Sequence, residues 1–294
     1  MATLRDIKDR ISAVKGTAKI TSAMKMVAAA KMKRAQGAIE SARPYVSKLD
    51  HLMSNLVASL DDDYANALVE TREHVGSIAI IVIGSDRGLC GGFNTNLYKS
   101  LNTVIKTDLK IKYPDATFQI VSVGKKPSDF YQKSMFEVQA DFPGVFANLQ
   151  FSVAREIVNS VKDDFVDGKF DKVYLFYNSF VNIVRQKATL DELLPISPAA
   201  KDSENQYSTD YIYEPDMESI LDVLIPKLVD IKVWRSMLES NAAEQAARMM
   251  AMDNATNNAR DLIRSLSLTY NSLRQEAITT EMLEIVGGAE ALKG

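Results

Sequence analysis

The feature that most constrains this chain is a seven-residue repeat of apolar side chains over its first 60 positions. Among the seventeen positions of this repeat only Thr21 and Lys25 are polar. The repeat comprises Leu4, Ile7, Ile11, Val14, Ala18, Thr21, Lys25, Ala28, Met32, Ala35, Ile39, Ala42, Val46, Leu49, Met53, Leu56 and Leu60. A repeat this long predicts a left-handed coiled coil, and a helix of ~55 residues extends ~80 Å. Such a helix must pack on something beyond the core of one small domain.

The ends of this first helix carry their own signals. Thr3 predicts an N-cap, and Asp6 completes a short variant of the capping box. Pro44 contradicts the pattern locally and predicts a kink or a junction. The acidic run 61–63 closes the segment.

Helical periodicity returns from about residue 216 to residue 292. Its middle, 241–259, is rich in Ala, Met and Asn, where large residues are usual. Pro226 predicts a bend near the start. Because the two helical segments lie at opposite ends of the chain, antiparallel pairing would bring them together as a shaft.

Between the helices the sequence changes to alternating strands and helices. Strands are predicted at 77–83, 117–123 and 172–177, with a weaker one near 136–139, and helices from about residue 94 and over 149–162. This alternation predicts a small α/β layer with a mainly parallel sheet. The stretch 189–209 is predicted as loop with one edge strand.

The fold class is therefore α/β, with a long antiparallel left-handed coiled coil of the N- and C-terminal helices plus a central Rossmann-like α/β domain. The predicted division is 1–60 with 214–294 as a discontinuous shaft, and 75–205 as the α/β domain.

The turn 84–94 lies where a phosphate loop would follow a strand. It lacks both G-x-G-x-x-G and the Gly-Lys-Ser/Thr ending of a Walker loop, so a structural turn is the better interpretation. Cys90 as a nucleophile would need a positioned base, and the two histidines, His51 and His74, lie in other segments. The sequence predicts no catalytic residue, no cofactor and no metal site.

Charge is distributed unevenly. Residues 1–48 hold eleven basic and three acidic residues, a formal charge of +8, whereas the whole chain carries −3. A solvated basic face, a nucleic-acid arm and a strip facing acidic protein loops all fit this excess, although the arm lacks interleaved aromatic residues.

No apolar run reaches the roughly 18 residues of a membrane span, so membrane association is expected through partners alone. No secretory signal is predicted, and the single cysteine suits a reducing compartment.

Three segments resemble the gamma subunit of F-type ATP synthases. They are Ile20-Thr-Ser-Ala-Met-Lys-Met-Val-Ala-Ala-Ala-Lys-Met, Asp86-Arg-Gly-Leu-Cys-Gly-Gly-Phe-Asn and Ile278-Thr-Thr-Glu-Met-Leu-Glu-Ile-Val-Gly-Gly-Ala-Glu-Ala. The last one is similar to the C-terminal signature of that family. The order of long helix, α/β domain and long helix matches over the whole chain.

The resemblance implies a central rotor stalk that transmits torque between a membrane c-ring and a catalytic ring of alpha and beta subunits. It implies alpha, beta and epsilon subunits and the c-ring as partners, with no nucleic acid and no direct bilayer insertion. It also implies a peripheral position on the cytoplasmic face of a bacterial plasma membrane, with ATP chemistry on the beta subunits.

The same resemblance implies eight partner-binding positions. Met24 matches a position near a charged loop of beta, and Lys25 departs from the acidic residue found beside it in some members. Arg274 and Gln275 match the pair that meets the beta catch loop, and Thr279 and Glu281 lie in the signature that turns within the upper sleeve. Tyr211 and Glu214 match positions that face the polar loops of the membrane ring.

Two other readings remain open from the residues alone. One is an α/β enzyme that binds a dinucleotide and dimerises through its helices. The other is a coiled-coil scaffold or nucleic-acid-binding adaptor, suggested by the +8 helix, which would show a steep salt dependence.

Overall fold

The computed structural model describes residues 3–58, 66–196, 214 and 216–291. Its contacts group into two compact units, one made of Met1–Ala28 with Arg248–Gly294 and the other of Ala29–Ala247. The two units are described separately below. The domain limits 1–60, 75–205 and 214–294 stay a prediction.

The first long helix, α1, runs over Leu4–Ala58. Its predicted cap is confirmed, because the backbone N–H of Thr3 donates to Asp6 Oδ2 at 2.9 Å and the N–H of Asp6 donates to Thr3 Oγ1 at 3.2 Å. Every repeat position whose side chain the structure describes is buried or half-buried. The seven-residue pattern therefore marked the inward face of α1.

Pro44 does not form a junction, since α1 continues through it to Ala58. The proline ring is exposed, while Ala42 before it is half-buried and Leu49 after it is buried. Burial on both sides offsets the ~3 kcal/mol cost of a proline inside a helix. The last long helix, α6 (Met217–Ala291), likewise continues through Pro226.

The elements between α1 and α6 belong to the unit Ala29–Ala247. In chain order they are β1 (Ser77–Ile83), α2 (Phe93–Val104), a π-helical turn (Ile105–Leu109), α3 (Lys110–Lys112), β2 (Thr117–Val123), α4 (Lys125–Tyr131), β3 (Glu137–Phe142), a 3-10 turn (Val145–Ala147), α5 (Phe151–Val166), β4 (Lys172–Phe180) and β5 (Gln186–Leu194). The predicted strands and helices of the α/β layer are thus confirmed, β1 and β2 with the predicted ends and the others with shifted ends.

The five strands form one sheet in the order β3-β2-β1-β4-β5. The pairs β3·β2, β2·β1 and β1·β4 are parallel, and β5 runs antiparallel to β4. The region 189–209 was predicted as loop with one edge strand, and β5 is that strand. The rest of that region, 197–209, lies outside the described residues.

Two apolar cores cover the faces of the sheet. One joins β1, β2 and β4 to α5 and to the buried face of α6, with Phe165, Leu175 and Ile225 among its fully buried members. The other packs α2 and α4 on the opposite face and includes the ring pair Tyr98 and Tyr131, whose centroids lie 5.6 Å apart. α6 is therefore part of the core of this unit.

A polar clasp at the amino ends of β1 and β4 completes the sheet. The Asp171 carboxylate accepts hydrogen bonds from the N–H groups of Gly76 and Ser77 at 2.8 and 3.0 Å, and Arg72 donates to it at 3.1 Å. Burial opposes ionisation of Asp171, but these donors outweigh it and lower the pKa of the carboxyl group. The clasp ties residue 72 and the start of β1 to the start of β4.

Candidate partner-binding surfaces

The unit formed by residues 1–28 and 248–294 is built on α1 and α6 lying side by side. The hydroxyl oxygens of Thr21 and Thr256 lie 2.8 Å apart, and Lys25 Nζ lies 2.7 Å from Asp253 Oδ1. Numbering rises along one helix while it falls along the other, so the helices are antiparallel, as predicted. The left hand of their supercoil stays a prediction.

Lys25 has a partner within its own chain. Its side chain is 41% exposed and that of Asp253 is 36% exposed, so water screens the pair and its contribution to stability is small, about 0.2–1 kcal/mol. Met24, next to it, is half-buried. Of the two predicted contact residues on α1, Lys25 is therefore already engaged with α6, and no sequence pattern pointed to Asp253 as its partner.

The end of α6 extends beyond the start of α1. The observed register pairs position 21 with 256, which places Leu4 beside a position near Leu273. From Arg274 to Glu290 every side chain is exposed. Arg274, Gln275, Thr279 and Glu281, four of the predicted partner-binding residues, all lie on this exposed tail.

The exposed tail is not polar throughout. Ile278 is 49% exposed, and four further apolar side chains are 59 to 68% exposed. These four are Met282, Leu283, Ile285 and Val286. Apolar residues spread around a helix are typical of a helix that is surrounded by other surfaces. This tail is therefore suited to enclosure by a partner.

The two remaining predicted positions lie elsewhere. Glu214 is exposed at a bend shortly before α6, and the structure records no contact that tests its role. Tyr211 lies outside the described residues.

In the unit Ala29–Ala247, α6 covers the place where a sheet of this order usually holds a ligand. β1 has β2 on one side and β4 on the other, so the strand order reverses between these two parallel strands, and ligands bind at such switch points. Here the Ser240 hydroxyl on α6 donates to the carbonyl oxygen of Ile83 at 3.2 Å. The Ser179 hydroxyl near the end of β4 donates to Glu239 at 2.8 Å. The helix thus fills the crevice.

Small side chains make this seat possible. Ala242, Ala243 and Ala246 are fully buried, and Ala243 packs on Cys90 and Phe93 of the turn after β1. The segment 241–247 of α6 is rich in such small residues. In this unit they allow the helix to approach the sheet.

The turn 84–94 is held by its own side chains. Asn94 donates to Ser85 Oγ at 2.7 Å, and the Asp86 carboxylate accepts from the backbone N–H groups of Lys125, Gly144 and Phe146 at 2.8 to 2.9 Å. These bonds join the loops after β1, β2 and β3. The geometry is that of a structural turn, and Cys90 within it is 3% exposed.

In the part of the chain that the structure describes, no group of three or more His, Cys, Asp or Glu side chains is arranged to hold a metal ion. Among the described helices, none combines the length and apolarity needed to cross a membrane.

The fold combines an antiparallel pair of long terminal helices with an α/β domain that lies between them in sequence, which is the element order of a stalk protein. The family model described as ATP synthase matches residues 3–292. The chain is 47% identical over 294 residues to the ATP synthase gamma chain of Prosthecochloris aestuarii and 46% identical over 293 residues to that of Chlorobaculum parvum, with 100% of each chain covered.

Two solved structures have a similar fold. A chain of the Tetrahymena thermophila mitochondrial ATP synthase central stalk and c-ring has a TM-score of 0.58 and 25% identity, with coverage of 80% of this chain and 99% of that one. A chain of the Euglena gracilis mitochondrial ATP synthase has the same fold, with a TM-score of 0.69, 21% identity and coverage of 98% and 94%. The chain belongs to the ATP synthase gamma-chain family, and its role is that of a central-stalk subunit.

Proposed function

We propose that this chain transmits torque between a membrane c-ring and a catalytic ring of alpha and beta subunits. The observation that carries the proposal is the α6 tail from Arg274 to Glu290, a continuous helix with exposed apolar side chains. Burial of such side chains is favourable by about 25 cal/mol per Å² of apolar surface. A surrounding sleeve of partner subunits supplies that burial and leaves the helix free to turn.

We further propose that the chain itself carries out no bond chemistry. The crevice at the switch point is filled by α6, and Cys90 is enclosed between that helix and Phe93. ATP chemistry then belongs to the beta subunits. We propose alpha, beta and epsilon subunits and the c-ring as partners, and a peripheral position on the cytoplasmic face of a bacterial plasma membrane.

The excess of basic residues in α1 fits this setting. An excess of +8 over residues 1–48 favours acidic loops of neighbouring subunits and raises the rate of encounter. The scaffold and nucleic-acid readings are not favoured, because the match to the gamma-chain family spans residues 3–292. The hypothesis of a dinucleotide-binding enzyme is not favoured either, because α6 occupies the crevice where the dinucleotide would bind.

The test removes side chains from the exposed tail. The double variant R274A/Q275A is expected to fold normally, because both residues are exposed, and to reduce ATP-driven proton pumping in membrane vesicles at least tenfold. R260A is the matched control, since Arg260 is an exposed basic residue on the same helix within the paired section. Normal pumping by R274A/Q275A, or a chain that purifies without alpha, beta and epsilon subunits, would contradict the proposal.

A further inference from the structure

A cleft of about 380 Å³ opens beside the edge strand β5, within the unit Ala29–Ala247. β4, β5 and α6 form its walls. Its lining includes Leu175, Tyr177, Asp191, Leu193, Leu228 and Ile231. A volume of this size lies within the range of small-molecule sites, which are mostly apolar with a few converging polar groups.

The floor of the cleft is aliphatic. Leu175, Leu193, Leu228 and Ile231 are at most 5% exposed, so their surfaces are held in place by the surrounding core. A short alkyl or aromatic body placed on this floor would be removed from water without any rearrangement of the sheet.

One end of the cleft is polar. The Tyr177 hydroxyl donates to Asp191 Oδ2 at 3.0 Å. Burial, with the charges of Glu239 and Asp191, raises the pKa of Tyr177, so the phenol stays protonated and continues to donate. Asp191 on β5 is paired in register with Leu175 on β4, so the two side chains lie on the same face of the sheet.

Two other charged side chains of the cleft have partners of opposite sign. Glu192 pairs with Lys172 from β4, and Arg235 pairs with Glu239 at 3.0 Å. Lys232 also has an interaction within the chain. Asp191 instead faces a neutral phenol, and a carboxylate accepts about four hydrogen bonds, of which the phenol supplies one.

We propose that this cleft binds a small amphipathic amine, with its apolar body on the aliphatic floor and its ammonium group on Asp191. A charged donor forms a shorter and stronger hydrogen bond to a carboxylate than a neutral donor does. The site lies in the α/β domain and is independent of the torque-transmitting role.

The test uses the full chain and three probes that share a six-carbon body, namely hexylamine, hexanol and hexanoate. Titration followed by NMR is expected to show saturable binding of one hexylamine per chain, at least tenfold tighter than hexanoate, with hexanol between them. Hydrogen exchange should slow at 186–194 and 228–236 and stay unchanged at 4–28. Absence of saturable hexylamine binding, or equal affinity for the three probes, would overturn the proposal.

Two variants locate the site. D191N is expected to weaken hexylamine binding at least tenfold while hexanol binding changes less than threefold. Asp191 is exposed, so D191N should fold normally. D163N is the matched control, because the Asp163 side chain is 75% exposed on α5, which does not line the cleft. A D191N chain that binds hexylamine as tightly as the parent, or an equal loss in D163N, would refute the assignment.

Discussion

The side-chain oxygens of Thr21 on α1 and Thr256 on α6 lie 2.8 Å apart inside an otherwise largely apolar seam. Thr256 is also 2.8 Å from the carbonyl oxygen of Met252, and Thr21 is 3.1 Å from that of Thr17. Each hydroxyl has one proton, so one threonine donates to its own helix and the other donates across the seam. This hydrogen bond links the two helices directly.

Replacing one threonine should therefore lower the unfolding free energy by more than half of the loss caused by replacing both. T21V is expected to lower the unfolding free energy by about 1 kcal/mol, whereas T21V/T256V should cost less than the two single changes added together, because no hydroxyl is left without its cross-helix partner. Denaturant unfolding with a double-mutant cycle measures the difference. T17V is the control, since Thr17 is exposed and its hydroxyl donates to the carbonyl oxygen of Ala13 in its own helix at 3.2 Å. Strict additivity of T21V and T256V would show that the contact contributes nothing.

Enlargement of Ala243 should disturb the seat of α6 on the sheet. Ala243 is fully buried against Cys90 and Phe93, so A243L must displace neighbouring atoms and should destabilise the chain by about 1–3 kcal/mol. Thermal unfolding of the purified chain measures the loss. A30L is the control, because Ala30 is exposed on α1 and Leu is a good helix former there. Equal melting temperatures for A243L and the parent chain would mean that the seat is loosely packed.

The Asp171 clasp predicts a pH dependence of stability. Its donors hold the pKa of Asp171 below the ordinary value of 3.8, so the folded chain keeps the carboxylate ionised to lower pH than the unfolded chain does. The stabilisation is fully present above the unfolded value and is lost as the pH falls through the folded one. D171N should thus be less stable than the parent at pH 7, by about 1.5–3 kcal/mol for bonds to a charged group. The gap should narrow below pH ~4.

Urea unfolding of both chains across pH 3 to 7 checks this prediction. D163N supplies the comparison, because that carboxylate is 75% exposed and should give no comparable gap. A D171N gap that stays constant down to pH 3 would remove the carboxylate from the explanation.

Removal of the Tyr131 hydroxyl should leave the fold as stable as before or more stable. Among the described residues, the hydroxyl groups of Tyr98 and Tyr131 are buried without a hydrogen-bond partner. A buried hydroxyl without a partner costs about 1–3 kcal/mol, so Y131F should raise the unfolding free energy or leave it unchanged. Y177F should instead lose about 1 kcal/mol, because the Tyr177 hydroxyl donates to Asp191. A clear loss of stability in Y131F would reveal a partner for that hydroxyl.

The sequence was most informative where one rule acts alone. The seven-residue spacing identified the buried face of α1 as far as Leu49, and the Thr3 and Asp6 pair identified its first turn. The buried run Ser77–Ile83 predicted β1 to the residue. These features depend on local spacing or local hydrogen bonds, which a sequence displays directly.

Prediction was weaker where distant segments meet. Pro44 opposes a helix locally, yet α1 continues because residues on both sides are packed against other parts of the chain. The Lys25–Asp253 pair and the Ser240–Ile83 bond join positions far apart in sequence, and neither residue type suggests its partner. The roles implied for Arg274, Gln275, Thr279, Glu281, Met24, Glu214 and Tyr211 stay predictions, because they depend on other proteins.

The placement of Ser240 on the last carbonyl of β1 has a consequence for folding order. The strands can form from residues 77–194, but their carboxyl ends remain exposed to water until Ser240, some 50 residues later in the chain, has been made. At 5–20 residues per second this takes about 2–10 s of synthesis. The α/β domain is therefore completed only by the same helix, α6, that also carries the exposed tail. A chain in which α6 does not pack on the sheet would lose both the complete α/β domain and the antiparallel helix pair.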